Sequence, residues 1–76
     1  MNFYMDNFSS RLAYIQHCAS KSLYEIADDI GVSHPTVYSW SSGRSIPSDE
    51  NFIKLAAYFN VDYFWLKYGE DVQWTK

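Results

Sequence analysis

Between Ser33 and Ser45 the chain gathers hydrogen-bonding side chains of several kinds: Ser33, His34, Thr36, Tyr38, Ser39, Ser42, Arg44 and Ser45. Hydroxyls and imidazole both donate and accept, guanidinium only donates, and Pro35 among them offers apolar contact alone. The loop Gly43-Arg44-Ser45-Ile46-Pro47 carries one cation, two small hydroxyls and exposed amides, a composition able to hold a phosphate. Residue types alone describe an ordinary connector equally well, its glycine stopping one helix and its proline starting another. Bond-making chemistry is not indicated. No nucleophile stands at a recognisable spacing from a base, and there is neither a phosphate-cradling glycine loop nor a cluster of metal ligands. His17 and His34 are too few for zinc, and Cys18, the single cysteine, excludes an internal disulfide and predicts a buried thiol. The sequence therefore predicts no enzyme, no cofactor, no metal and no small-molecule substrate.

Such side chains need rigid support, which the stretch Leu23 to Ser42 (LYEIADDIGVSHPTVYSWSS) supplies. Ile26, Ala27, Ile30, Val32, Val37 and Trp40 fall in two groups of helical spacing around Gly31, predicting a helix, a tight turn and a second helix. Ser22 and Glu25 make a capping-box pattern in which each side chain satisfies an amide of the opening turn. Ala27 is small enough to let the second helix approach, and Gly31 is suited to the left-handed conformation that ends the first. Val32 packs back into the corner. Ser33 caps the second helix, His34 and Pro35 fill its first turn, and Val37 and Trp40 point inward.

The flanking chain reads as more helix, giving an all-α class for one domain over residues 1–70 with a tail over 71–76. At 76 residues the domain is near the lower limit for a single core, and 47% hydrophobic with 20% aromatic residues compensates. Met1 to Met5 is expected to fray, with Phe3 or Tyr4 folding onto the domain. Asp6 or Asn7 caps a first helix whose core stripe is Phe8, Leu12, Ile15 and Ala19, leaving Arg11 and His17 off the stripe and His17 toward solvent. Gly43 closes the motif. Ser48, followed by Asp49 and Glu50, starts a helix that buries Phe52, Leu55, Ala56 and Phe59 and ends at Asn60. Asp62 caps a last helix, Tyr63 to Tyr68, too aromatic to be buried on every side. Tyr63, Trp65 and Tyr68 either cover the small core or form a partner surface, and Trp74 either folds back or joins them.

A net charge of −3 opposes nucleic-acid binding, but the distribution is uneven. No acidic residue occurs between Ile30 and Ser48, whereas Glu25, Asp28, Asp29, Asp49, Glu50, Asp62, Glu70 and Asp71 lie outside that stretch. No apolar run approaches the roughly 20 residues needed to cross a bilayer, so no membrane association and a cytoplasmic location are expected.

At Ala27, Gly31-Val32-Ser33, Val37 and Trp40 with Gly43, and again at Pro47, Asn51 to Val61, Phe64-Trp65-Leu66 and Gly69-Glu70, the sequence resembles the lambda-repressor/Cro-like (XRE-type) helix-turn-helix family. The resemblance covers roughly Phe8 to Glu70. It implies a five-helix, repressor-type DNA-binding domain of prophage or bacterial origin, acting as a homodimer on double-stranded DNA. With the second motif helix in the major groove, His34, Pro35, Tyr38 and Ser39 would lie nearest the bases. Ser22, Ser33, Thr36, Ser42, Arg44 and Ser45 would face the backbone, the loop of residues 43–47 running along it. In relatives the last helix often mediates dimer contacts, which implies that role for Tyr63, Trp65 and Tyr68. Three positions depart from the family pattern: Leu23 replaces a phosphate-binding glutamine, and Ser41 and Gln16 stand where members often carry an ion pair. A second class of function fits the net acidity, Leu23 and Pro35: a protein-interaction module of the same fold that has lost DNA binding and acts through its aromatic helix.

Overall fold

Asn7 opens the first helix in the computed structural model, its side-chain oxygen accepting from the Ser10 amide at 2.9 Å. The structure describes residues 7–69. The expectations for Phe3, Tyr4, Asp6, Trp74 and the tail over residues 71–76 lie outside the described residues.

Five helices follow: α1 (Phe8–Ala19), α2 (Leu23–Ile30), α3 (His34–Ser42), α4 (Asp49–Phe59) and α5 (Tyr63–Tyr68). Each begins at a polar cap, Asn7, Ser22, Ser33, Ser48 or Asp62, whose side chain accepts an amide of the first turn. Each ends at a left-handed residue. Gly31, at φ 82°, lets α2 stop and its own amide return to the Ala27 carbonyl at 2.9 Å.

The core is one cluster. Leu12, Ile26, Ala27, Val37, Leu55 and Leu66 are sealed from solvent, and Phe8, Ile15, Ile30, Trp40, Phe52 and Ala56 complete it. Burying each of the larger side chains contributes about 1.5–3 kcal/mol before chain entropy is subtracted. Phe8 meets Phe52 edge to face at 5.1 Å, joining α1 to α4. The aliphatic centre holds α2 against α3, while α1 packs on both α3 and α5.

Four expectations about burial are corrected. Arg11, placed off the core stripe, is buried at 3% exposure, because its stem runs to the end of α5. There Nε donates to the Leu66 carbonyl at 2.9 Å and Nη2 to the Lys67 carbonyl at 3.0 Å. Gly69 leaves room for it, since a Cβ there would lie 3.0 Å from Arg11 Nη1. Burial lowers the Arg11 pKa, but guanidinium's very high ordinary value keeps the charge. Cys18 and Ala19 are exposed, because the last turn of α1 borders an open groove with Phe59 and Val61 instead of a packed helix. Phe59, at the other side of that groove, is half-buried. No helix of the described residues is long and apolar enough to cross a membrane.

Candidate nucleic-acid interface

The corner between α2 and α3 is closed by small residues and local caps. Ala27 and Val37 are fully buried where the helices meet, and Val32 packs against the core from the turn. Ser22 and Glu25 form the reciprocal capping box, Ser22 Oγ accepting at 3.0 Å from the Glu25 amide and Glu25 Oε1 accepting at 2.8 Å from the Ser22 amide. Leu23, in place of a polar side chain, is half-buried against the core.

Across the corner, Ser33 Oγ accepts from the Thr36 amide at 3.3 Å and lies 2.7 Å from Thr36 Oγ1. Both hydroxyls are therefore committed to the cap while remaining on the protein surface. Pro35 and Tyr38 are exposed, and His34, Thr36 and Ser39 are half-exposed. The C-terminal end of α3 is tied to the following loop: Ser39 Oγ lies 2.7 Å from Ser45 Oγ, and the Arg44 amide donates to the Ser39 carbonyl at 3.0 Å. Ser42 Oγ donates to the same carbonyl at 3.2 Å. These bonds fix the loop backbone and leave the Arg44 side chain extended into solvent.

Two residues that the sequence did not single out belong to this face. Tyr24 meets His34 edge-on at 4.5 Å and Tyr38 at 5.8 Å between ring centroids. The neighbouring Tyr24 hydroxyl raises the Tyr38 pKa above the ordinary tyrosine value. Asp28 Oδ1 lies 2.9 Å from His34 Nε2. The signal was present in the spacing: Tyr24 and Asp28 are i, i+4 on one helix, His34 and Tyr38 are i, i+4 on the next, and the tight turn folds one pair over the other. The stretch free of acids in sequence is thus not free of acids in space. One carboxylate from α2 reaches its edge.

The cations are unevenly engaged. Lys21 pairs with Asp29 at 3.9 Å, Lys54 with Glu50 at 3.9 Å, Lys67 with Asp49, and Arg11 with backbone carbonyls. Among the described residues, Arg44 is the one lysine or arginine whose side chain makes neither an ion pair nor a hydrogen bond. Gln16 and Ser41 are half-buried and make no side-chain hydrogen bond among the described residues, so no charge is stranded where relatives carry a pair.

The aromatics of α5 divide between two faces. Tyr63 packs edge-on to Phe52 at 6.4 Å, and its hydroxyl lies beside Lys67 and Asp49. Trp65 turns to the other side, lining a shallow groove with Tyr14, Ile15 and Val61. Tyr68 is exposed and stacks on Phe64, an exposed neighbour, at 6.3 Å. Tyr63 and Tyr68 thus lie along one surface with Phe64, while Trp65 is apart from them.

Searches of curated proteins and of solved structures return no match. A helix-turn-helix family model matches residues 19–66, more than half of the chain and spanning α2 to most of α5. With the capped helices, the glycine turn and the buried Ala27 and Val37 on that segment, the chain belongs to the XRE-type, lambda-repressor/Cro-like helix-turn-helix family of DNA-binding regulators.

Proposed function

We propose that this protein is a sequence-specific transcriptional regulator of repressor type that lays α3 in the major groove and binds as a homodimer to two half-sites about one helical turn apart. The observation that carries the reading is a coincidence of two features: the unengaged cation Arg44 stands at the end of the helix whose outer face, Pro35 and Tyr38, is open. On that reading His34, Pro35, Tyr38 and Ser39 contact base edges, the tyrosine through its hydroxyl and the proline against a thymine methyl. Ser22, Ser33, Thr36, Ser42, Arg44, Ser45 and the amides opening α2 and α3 lie along the phosphates. Tyr63 and Tyr68 of α5, together with Phe64, supply the dimer surface, while Trp65, on the other face of the helix beside Tyr14 and Val61, lies outside it. With net charge −3 the affinity of one subunit is modest, which makes pairing necessary.

The test is selection of bound duplexes from a random pool at low and near-physiological salt, over a range of protein concentrations. A two-fold-symmetric motif that survives the higher salt is expected. No enrichment from protein that is folded by circular dichroism would overturn the reading and leave the aromatic surface of α5 as the functional one.

A further inference from the structure

We infer that Asp28 is a specificity-positioning residue that fixes which ring nitrogen of His34 is offered to a base. The inference rests on the DNA-reading role proposed for α3 and extends it to a residue of α2. A carboxylate accepts hydrogen bonds and does not donate them, so at 2.9 Å from Asp28 Oδ1 the His34 Nε2 carries a proton. In the neutral ring that leaves Nδ1 bare, an acceptor with no hydrogen-bond partner among the described residues. The ring is held on a second side as well, since Tyr24 meets it edge-on at 4.5 Å. His34 therefore has a fixed plane and a fixed tautomer, the two properties a side chain needs to tell a donor from an acceptor.

The consequence is chemical and specific. In the major groove adenine N6 and cytosine N4 present donors, whereas guanine and thymine present acceptors at the corresponding edge. A bare Nδ1 selects adenine or cytosine on the contacted strand and disfavours guanine or thymine. An acid at a DNA-facing surface otherwise weakens binding to every duplex by repelling phosphate. Its presence beside His34 is explained if it trades general affinity for choice of base.

The experiment has two readouts on the same variants. Nitrogen-detected NMR of the free protein at pH 8.5 reports the His34 tautomer, and duplex selection at the same pH reports base preference. The wild type is expected to show the Nε2–H form and to prefer adenine or cytosine at one position by at least about five-fold, the lower end of what one mismatched base pair costs. Asp28→Ala is expected to give mixed tautomers and to lose that preference at that position alone. Asp28→Asn, whose carboxamide can either accept from or donate to the ring, is expected to loosen the tautomer bias and weaken the preference at that position while binding all duplexes more tightly. If Asp28→Ala keeps the wild-type preference, or merely raises affinity for every sequence, the assignment is overturned and Asp28 is only a repelling charge. Mixed tautomers in the wild type overturn it with the DNA reading intact, provided a motif is recovered. A pure Nε2–H form with no motif from any variant overturns the DNA reading instead, and with it the use of Nδ1.

Discussion

The α2–α3 corner and the α1–α5 junction are fastened by opposite means. The corner is made from neighbours in sequence: a capping box, a glycine turn, a serine cap and two small buried side chains. Its polar side chains bond mainly to one another or to nearby backbone, and Arg44 stays unengaged. The junction is made from distant residues and uses a charged group in its interior, Arg11 reaching carbonyls 55 and 56 positions away. Elsewhere too, long-range polar contacts join helix to helix: Lys67 of α5 pairs with Asp49 of α4, and Tyr58 of α4 donates to Asp29 of α2 at 2.5 Å. At the junction the polar contacts are long-range and join helix to helix, whereas at the corner they are local and leave Arg44 exposed.

Arg11→Met gives the strongest test of that contrast. The stem stays, but two carbonyls lose a charged donor, and a loss of about 3 kcal/mol in unfolding free energy is expected by denaturant titration. A loss under about 1 kcal/mol would mean that the junction is held by packing alone. On the other side, Tyr38→Ala is expected to leave stability nearly unchanged and to cost about 1–3 kcal/mol of discrimination at one base pair, read by competition among duplexes. Equal loss on every sequence would remove Tyr38 from base reading. Arg44→Ala should act more weakly and without preference, lowering the slope of log K against log salt by about 0.9, as for one phosphate contact. An unchanged slope would place Arg44 off the backbone.

The smallest effect concerns the ion pair between half-buried Lys67 of α5 and exposed Asp49 of α4. The Lys67 ammonium holds the Asp49 carboxyl below its ordinary value of 3.8, so the pair's contribution is present above that pH and is lost as pH falls through the lower folded-state value. Lys67→Met is expected to flatten the acid limb of the melting-temperature profile and leave the neutral region almost unmoved. A large drop at pH 7 would show this pair to be structural in the manner of Arg11.

What the sequence revealed followed the same divide. Helix boundaries, the capping box and the role of Gly31 were legible because each depends on residues within four positions of one another. Arg11 was not, because its partners are carbonyls, which every residue carries and no residue type announces. The contact of Asp28 with His34 lay between these cases: six positions apart, it becomes visible only when the turn is used to fold one helical face onto the next. Ala19 had the spacing of a core residue and Cys18 the residue type of one, but the last turn of α1 borders an open groove instead of a packed helix. For the candidate site, residue types and order were readable, while the sharing of Tyr24 and Asp28 across the corner required the geometry.

The Arg11 contact also sets an order of events during synthesis. The guanidinium leaves the ribosome early, but its seat at Leu66 follows 55 residues later, roughly 3–11 s at ordinary elongation rates. Only for the later part of that interval, after Ser42 has been added, does the nascent chain hold both helices of the motif, with an unclosed core and a cation lacking those two carbonyl seats. The final closure of the domain therefore waits for translation of α5.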